Sequence, residues 1–250
     1  MIIDIKRTWE PYTEIKVKFL NGNLNERELV IKFAKQWEPY ALVKFNFGDH
    51  QDAQIKILIE NDGISHSCLG PCNQEQTMDL DISEGEKSSH TILHEFGHAL
   101  GLCHEHHHPE RTFEWNIDEV YKYYSTWKKE DVDEFVLAKY TDKSFQYYFA
   151  PYNQKSVMHY HVIKSLTKEG IEITPSDVLT ESDKKNLLNF MHKKLLGDFN
   201  WDDSCHGILC SDRIESGRNL VSRESGSDIE KETIIIPSRK MDIKKVGKLT

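Results

Sequence analysis

Apolar and polar positions in the first hundred residues follow two alternating periods. Ile15, Val17 and Phe19 are separated by Lys16 and Lys18, the period-two pattern of a strand with one buried face. Asn25 and Glu28 have capping-box spacing, and Leu29, Val30, Phe33, Ala34 and Trp37 follow at helical spacing, which predicts a helix beginning there. The runs Val43/Phe45/Phe47 and Ile55/Ile57/Ile59, each bounded by turn residues, predict two more strands. Residues 77–81 read as an edge strand, along which a peptide could pair as an added strand. Ile92, Leu93, Phe96, Ala99 and Leu100 mark the apolar face of a second helix. Strand, helix, strand, strand and helix in this order predict a twisted sheet backed by helices.

The pattern changes after residue 104. Asn116-x-x-Glu119 has capping-box spacing, with Ile117, Val120, Tyr121 and Tyr124 at helical intervals. The stretch to Tyr148 is aromatic and charged, with few clear elements. Thr180-x-x-Asp183 precedes Leu187, Leu188, Met191 and Leu195, which predicts a closing helix. No aromatic residue follows Trp201, and small, polar and charged residues dominate to the end. Such a segment buries too little apolar surface to offset its ordering entropy, so a disordered or loosely attached tail is the first expectation. An export or docking signal is the second. Within that tail Ile234, Ile235 and Ile236 are apolar enough to dock as a short strand. The division expected is one domain over 1–196, with an upper part of about 1–103 and a smaller, irregular lower part of about 104–196, and a polar tail over 197–250. A cleft is expected between the two halves.

The second helix carries polar residues that an apolar face does not explain. The chain reads His94-Glu95-Phe96-Gly97-His98-Ala99-Leu100-Gly101-Leu102-Cys103-His104. On a helix His94 and His98 project from one face, four residues apart, and can share an ion. Glu95 lies about 100° further round, out of ligand position but within reach of a water on that ion. Gly101 offers a positive-φ position at which the helix stops, and the turn returns His104 as a third ligand. Three protein ligands with an open fourth position is the arrangement of a catalytic zinc site. The expected cofactor is one catalytic Zn2+ on His94, His98 and His104, with Glu95 as general base.

Downstream lies Ser156-Val157-Met158-His159-Tyr160, preceded by Tyr152-Asn153. The long zinc motif with a later methionine turn resembles the metzincin peptidases. Glu105 directly after the third histidine and Tyr160 two residues after the methionine narrow the resemblance to the astacin family. Pro109-Glu110-Arg111, Ser67-Cys68-Leu69-Gly70 and Thr77-Met78-Asp79-Leu80 are similar to its other motifs. The match spans roughly residues 8 to 196. The resemblance implies an α+β, zincin-like catalytic domain, a twisted mixed sheet with its zinc helix over a smaller lower subdomain. It also implies an endopeptidase in which Tyr160 is a distant zinc ligand that swings away to hydrogen-bond the tetrahedral intermediate. Met158 would form an apolar floor under the histidines. The family's glutamate at position 105 reaches a processed amino terminus; with only eight residues before Trp9 and no prosegment in view, that contact is expected to be missing here, with a side chain in its place. Two hypotheses follow: the chain is not held latent, and it is active as translated once zinc is loaded. His106, His107 and His108 extend the histidine patch and could recruit metal, but are read first as exposed residues beside a ligand. His108 stands where the family often has arginine, which puts the local ion-pair network in doubt. Lys164 is a candidate partner for acidic substrate residues just after the scissile bond, since astacins often favour them.

Composition sets the remaining bounds. The 250 residues carry a net charge of −9, with 38% hydrophobic and 29% charged residues, and no basic stripe to neutralise phosphates. A nucleic-acid partner is not expected, and no run approaches the roughly 18 apolar residues of a membrane span. A protein or peptide substrate and a monomer are expected. The amino terminus lacks the apolar core of a signal peptide, so the chain is expected to be cytoplasmic, to be exported by a non-classical route, or to have lost a leader. Five cysteines suit no complete disulfide framework. Cys68/Cys72 and Cys205/Cys210 are close enough to pair, and Cys103 reads as a small buried hydrophobe. The other readings weighed are a catalytically silent binding module of the same fold, and a serralysin. Against a serralysin stand Glu105, where proline is usual, and the lack of glycine-rich repeats.

Overall fold

A computed structural model describes residues 1–141 and 146–197 and the backbone of 234–237. In chain order the first half contains β1 (Ile2–Asp4), β2 (Glu14–Phe19), α1 (Leu24–Ala34), α2 (Glu38–Ala41), β3 (Lys44–Phe47), β4 (Ile55–Ile59), β5 (Ile64–Ser67), β6 (Met78–Leu80) and α3 (Ser89–Ala99). The rest contains β7 (Leu102–Cys103), α4 (Ile117–Tyr123), α5 (Lys129–Val132), β8 (Tyr147–Phe149), α6 (Glu181–Leu196) and β9 (Ile234–Pro237), with short 3-10 and π turns between them. This is the α+β architecture expected, with α3 as the metal helix.

Period-two patterning becomes sheet directly. Ile15 and Val17 of β2 are fully buried, while Lys16 and Lys18 reach outward to Asp52 and Asp49. Six strands form one mixed sheet in the order β3-β2-β4-β6-β5-β9. β2 pairs in parallel with β3 and β4, and β4 with β6; β5 runs antiparallel to β6, and β9 antiparallel to β5. Residues 77–81 are therefore not an edge. β6 sits between β4 and β5 with all three of its residues buried, and the antiparallel strand outside it is β5. The isoleucine run considered as a docking strand pairs along β5 as β9; the remainder of the tail, with Cys205 and Cys210, lies outside the described residues.

Helix α1 begins one half-turn earlier than its spacing suggested. Asn23, extended at φ −82° and ψ 173°, accepts from the Glu26 amide while Glu26 accepts from the Asn23 amide. Asn25 and Glu28 thus fall inside the helix, since two overlapping Asn-x-x-Glu frames occur and only the first residue of the earlier one leaves the helical region. Trp37 is buried in the 3-10 turn that follows, not in α1. The closing helix expected after Thr180-x-x-Asp183 forms as α6, opened by a capping box between those two residues and closed by Gly197 in the left-handed region.

A second, three-stranded sheet, β7-β1-β8, is antiparallel and had no alternating pattern to announce it. Met1, Ile2 and Ile3 are all buried, so β1 is covered on both faces and shows no polar alternation. Two apolar cores result. The larger gathers the main sheet, α1 and α3, and also Leu187, Phe190 and Met191 of α6 and Val157 and Met158. The smaller holds Phe113, Trp115, Val120, Val132, Val136, Tyr160, Val162, Leu166 and Ile173. α6 packs on the upper core, so the cores are not divided in sequence order. No helix among the described residues is long and apolar enough to cross a membrane.

Asp79 is an internal cost in this sheet. It is 7% exposed on β6, and its Oδ1 has no hydrogen-bond partner. Burial, reinforced by Glu60 and Asp62, pushes its carboxyl up to about 7. A folded-state value above the unfolded one means that stability is lost as pH rises from about 4 through 7, because the buried group must then ionise. Asp79→Asn removes that cost. Thermal unfolding should show the variant gaining on the order of 2 kcal/mol over wild type at pH 8 and much less at pH 5; an equal difference at both pH values contradicts the assignment.

Candidate metal centre

Helix α3 is buried around most of its circumference: nine of its eleven residues are buried, polar Ser89, His94, Glu95 and His98 among them. Two tryptophans fix it by its carbonyls: Trp37 Nε1 donates to Leu93 O at 2.9 Å and Trp9 Nε1 to Ala99 O at 2.7 Å. Gly101 then turns the chain at φ +94°, where a side chain would overlap the Arg7 carbonyl. The turn leads through β7 to His104, which returns beside His94 and His98 as the spacing predicted.

The three rings converge on one point. His94 Nε2 lies 3.0 Å from His98 Nε2, which lies 3.0 Å from His104 Nε2. All three residues are at most 5% exposed. His94 Nδ1 donates to Val157 O at 2.6 Å and His98 Nδ1 to Leu102 O at 2.7 Å, which leaves Nε2 of both rings as lone-pair donors. Burial, followed by the neighbouring imidazoles, holds His94 and His104 well below the usual histidine range, and burial holds His98 at about 4. Neutral rings aiming lone pairs at one another repel unless a cation lies among them.

Glu95 makes the same demand from the other side. It is fully buried, neither carboxylate oxygen has a partner, and burial pushes it well above the ordinary carboxylate range. A divalent cation among the imidazoles would return it to its ionised form. The donor set of three neutral nitrogens beside an unpaired carboxylate fits zinc.

Around this trio the chain builds a wall. Met158, fully buried, fills the space that a side chain at Gly97 would occupy, beneath the metal helix. The Tyr160 ring centroid stands 4.4 Å from that of His104 and 4.1 Å from that of His106. Burial holds the Tyr160 hydroxyl well above its usual range, so it remains a proton donor. Contrary to expectation, His106, His107 and His108 are not exposed. All are at most 2% exposed, and each is bonded to a backbone carbonyl: Phe135 O, Ala138 O and Ala150 O respectively. Their neighbours are the aromatic and backbone groups of a segment that showed no helical or strand period.

His104, His106 and His107 also lie within 4.8 Å of one another through one ring nitrogen each. Arg111 donates to the carbonyls of His106, Leu137 and Ala138 beside them, and its fixed charge opposes a second cation there. His104 is shared with the first trio, so this grouping is part of the wall. His159 is satisfied at both nitrogens, by the Tyr152 hydroxyl and Tyr160 O.

Glu105 is paired with the amino terminus after all. The Met1 ammonium donates to Glu105 Oε1 at 2.8 Å and to the carbonyls of Ala150 and Pro151. The same carboxylate oxygen accepts from the Asn153 amide at 2.8 Å. The expectation of a substitute side chain rested on only eight residues preceding Trp9, with no prosegment in view. Pairing with both β7 and β8 orders β1 and carries Met1 to the glutamate. Cys68 and Cys72 are disulfide-bonded, and Cys103 is buried with its thiol pushed up by burial. Lys164 is exposed on a 3-10 turn.

Asp183 is a site residue that spacing revealed only as a helix cap. Besides capping α6, its carboxylate accepts from Ser156 Oγ at 2.6 Å and the Val157 amide at 3.3 Å. It therefore holds the segment whose Val157 carbonyl orients His94. Nothing in the sequence signals that second contact. Asp183→Ala should lower zinc affinity by about 10-fold or more in a competition titration, since outer-shell groups of this kind contribute at that scale. Unchanged affinity in a folded variant would remove Asp183 from the site.

The comparisons with known proteins agree with this geometry. A model of the peptidase family described as Astacin matches residues 1–183. Zinc metalloproteinase nas-26 of Caenorhabditis elegans is 24% identical over 212 residues, which cover 80% of this chain and 48% of that protein, so the chain spans about half of that relative's length. A structure of myroilysin is similar at 31% identity and a TM-score of 0.71, covering 76% of this chain and 98% of that one. High choriolytic enzyme 1, a hatching enzyme zinc-protease from Oryzias latipes, shares the fold at 15% identity and a TM-score of 0.52, covering 75% of this chain and 95% of its own. By the family match and by the convergence of its three histidines, the chain belongs to the astacin family.

Proposed function

We propose that the protein is a zinc-dependent endopeptidase that hydrolyses peptide bonds of protein or peptide substrates. The observation that carries this reading is the pairing of three converging imidazole nitrogens with a buried carboxylate that has no other partner. The names of the relatives, a zinc metalloproteinase and a zinc-protease, support it.

In this reading His94, His98 and His104 hold the ion. A zinc ion so bound supplies a Lewis acid that polarises a carbonyl and acidifies water to a pKa of about 7. Glu95, beside the ligands yet not among them, accepts the proton of the attacking water and delivers it to the departing amine. Its burial matters twice. The carboxylate has no competing hydrogen bond, and a proton it has taken is held away from bulk solvent until it is passed on. Tyr160, kept protonated by burial, donates a hydrogen bond to the carbonyl oxygen as charge develops there. Met158 and Gly97 keep the floor under the rings apolar and close-packed, so the ligands do not shift. Lys164, with its ammonium in solvent, is proposed to attract an acidic residue after the scissile bond.

The test is a peptide-library digest with purified, zinc-loaded protein, with and without a chelator, alongside Glu95→Gln. Cleavage by the wild type should vanish with the chelator and fall by about 10²- to 10⁴-fold in the variant, while the variant still binds one zinc. A wild type that binds zinc and cuts nothing would instead be a silent binding module. Tyr160→Phe should lower kcat by about 10²-fold with KM little changed, the signature of a donor used mainly in the transition state. A KM effect alone would make Tyr160 a packing residue.

A further inference from the structure

β5 has β6 on one side, and along its other side lies β9. The register is antiparallel and unbroken over four pairs: Ile64 with Pro237, Ser65 with Ile236, His66 with Ile235 and Ser67 with Ile234. Without β9, that edge of β5 would present a row of unpaired amides and carbonyls, a template for any extended peptide. The edge adjoins the metal helix. β5 and α3 pack on each other, and the chain leaving β5 turns at Gly70, whose amide donates to His98 O at 2.8 Å. A peptide laid along β5 would therefore run beside the helix that carries Glu95 and two of the three histidines.

We infer that residues 234–237 occupy, from within the same chain, the edge of β5 on which an extended substrate pairs, so that the carboxy-terminal segment is a tethered competitor of substrate. The inference rests on the peptidase reading for what is excluded, and on the strand pairing alone for what is occupied.

The sequence of the segment suits the role. Ile234, Ile235 and Ile236 are β-branched residues with strong strand preference, set in an otherwise polar stretch. Pro237 has no amide to donate, so it suits the end of an outer strand and discourages a further chain from adding there. Four residue pairs would bind weakly between separate molecules. Tethering makes the contact intramolecular, and the entropy of closing the loop grows only with the logarithm of its length. Substrate must displace the segment, so its apparent affinity falls by the fraction of molecules whose edge is free. A dilute or poorly extended peptide is thereby rejected, and a segment able to form a longer run of pairs along β5 is admitted.

The test uses the full chain with Ile235→Pro and Ile236→Pro together. Successive amides of a strand face opposite edges, so one of the two lost donors faces β5. If the segment occupies the edge about four-fifths of the time, KM for a peptide substrate should fall by about fivefold with kcat unchanged. A fluorescent peptide copying residues 229–240 should bind the zinc-loaded double variant, in a Glu95→Gln background, about fivefold more tightly than the Glu95→Gln protein with its native tail. Equal KM and equal peptide affinity overturn the inference. Tighter peptide binding by the variant when neither form cuts any peptide upholds the occupancy and overturns the peptidase reading, so the two failures are distinguishable.

Discussion

Three imidazole rings pack against one another in a dry interior only when their protons are sent elsewhere and their lone pairs have something to face. Both halves of that condition are built into this chain. The carbonyls of Val157 and Leu102 accept hydrogen bonds from Nδ1 of His94 and His98, which turns Nε2 of both toward His104. The carbonyls are placed by different parts of the fold. Leu102 is set by the turn at Gly101, and Val157 by a segment that Asp183 holds from the far side. A cation-binding geometry is thus fixed by backbone hydrogen bonds that do not include the cation.

The same economy extends outward. Trp37 and Trp9 hold the metal helix by its carbonyls, through bonds that leave the histidine rings untouched. Glu105, next to the third histidine, is tied to the Met1 ammonium and the Asn153 amide. That one carboxylate joins the amino terminus, the third histidine and the segment leading to the methionine turn. Removing one member of such a buried charged pair commonly costs about 3–5 kcal/mol, because the other member is left uncompensated. Here the loss would fall one residue from the histidine trio.

How much of this could be read from the sequence depended on whether an element has a polar face. β2, β3 and β4 alternate because one face of the sheet is buried and the other is wet, and α6 announced itself through Thr180 and Asp183. The converging histidines were legible because metal chemistry fixes both residue type and spacing. β1, β6 and the run His106–His107–His108 were misread or missed for the opposite reason. Each is covered on all sides, so polarity carries no signal of position. Histidine looks like a surface residue in a pattern, yet each of these three is buried and bonds a carbonyl 29 to 42 residues away, in a segment without periodicity. The second role of Asp183 and the pairing of β9 with β5 are tertiary facts with no local imprint.

At the centre of the molecule one set of nitrogens is arranged to hold one cation. X-ray diffraction from crystals of the zinc-loaded protein, with anomalous data collected at the zinc edge, tests this most directly. The expected result is a single strong peak about 2.0–2.1 Å from Nε2 of His94, His98 and His104, with a position left open to water. A peak among His104, His106 and His107 instead, or no peak at either trio, would contradict it.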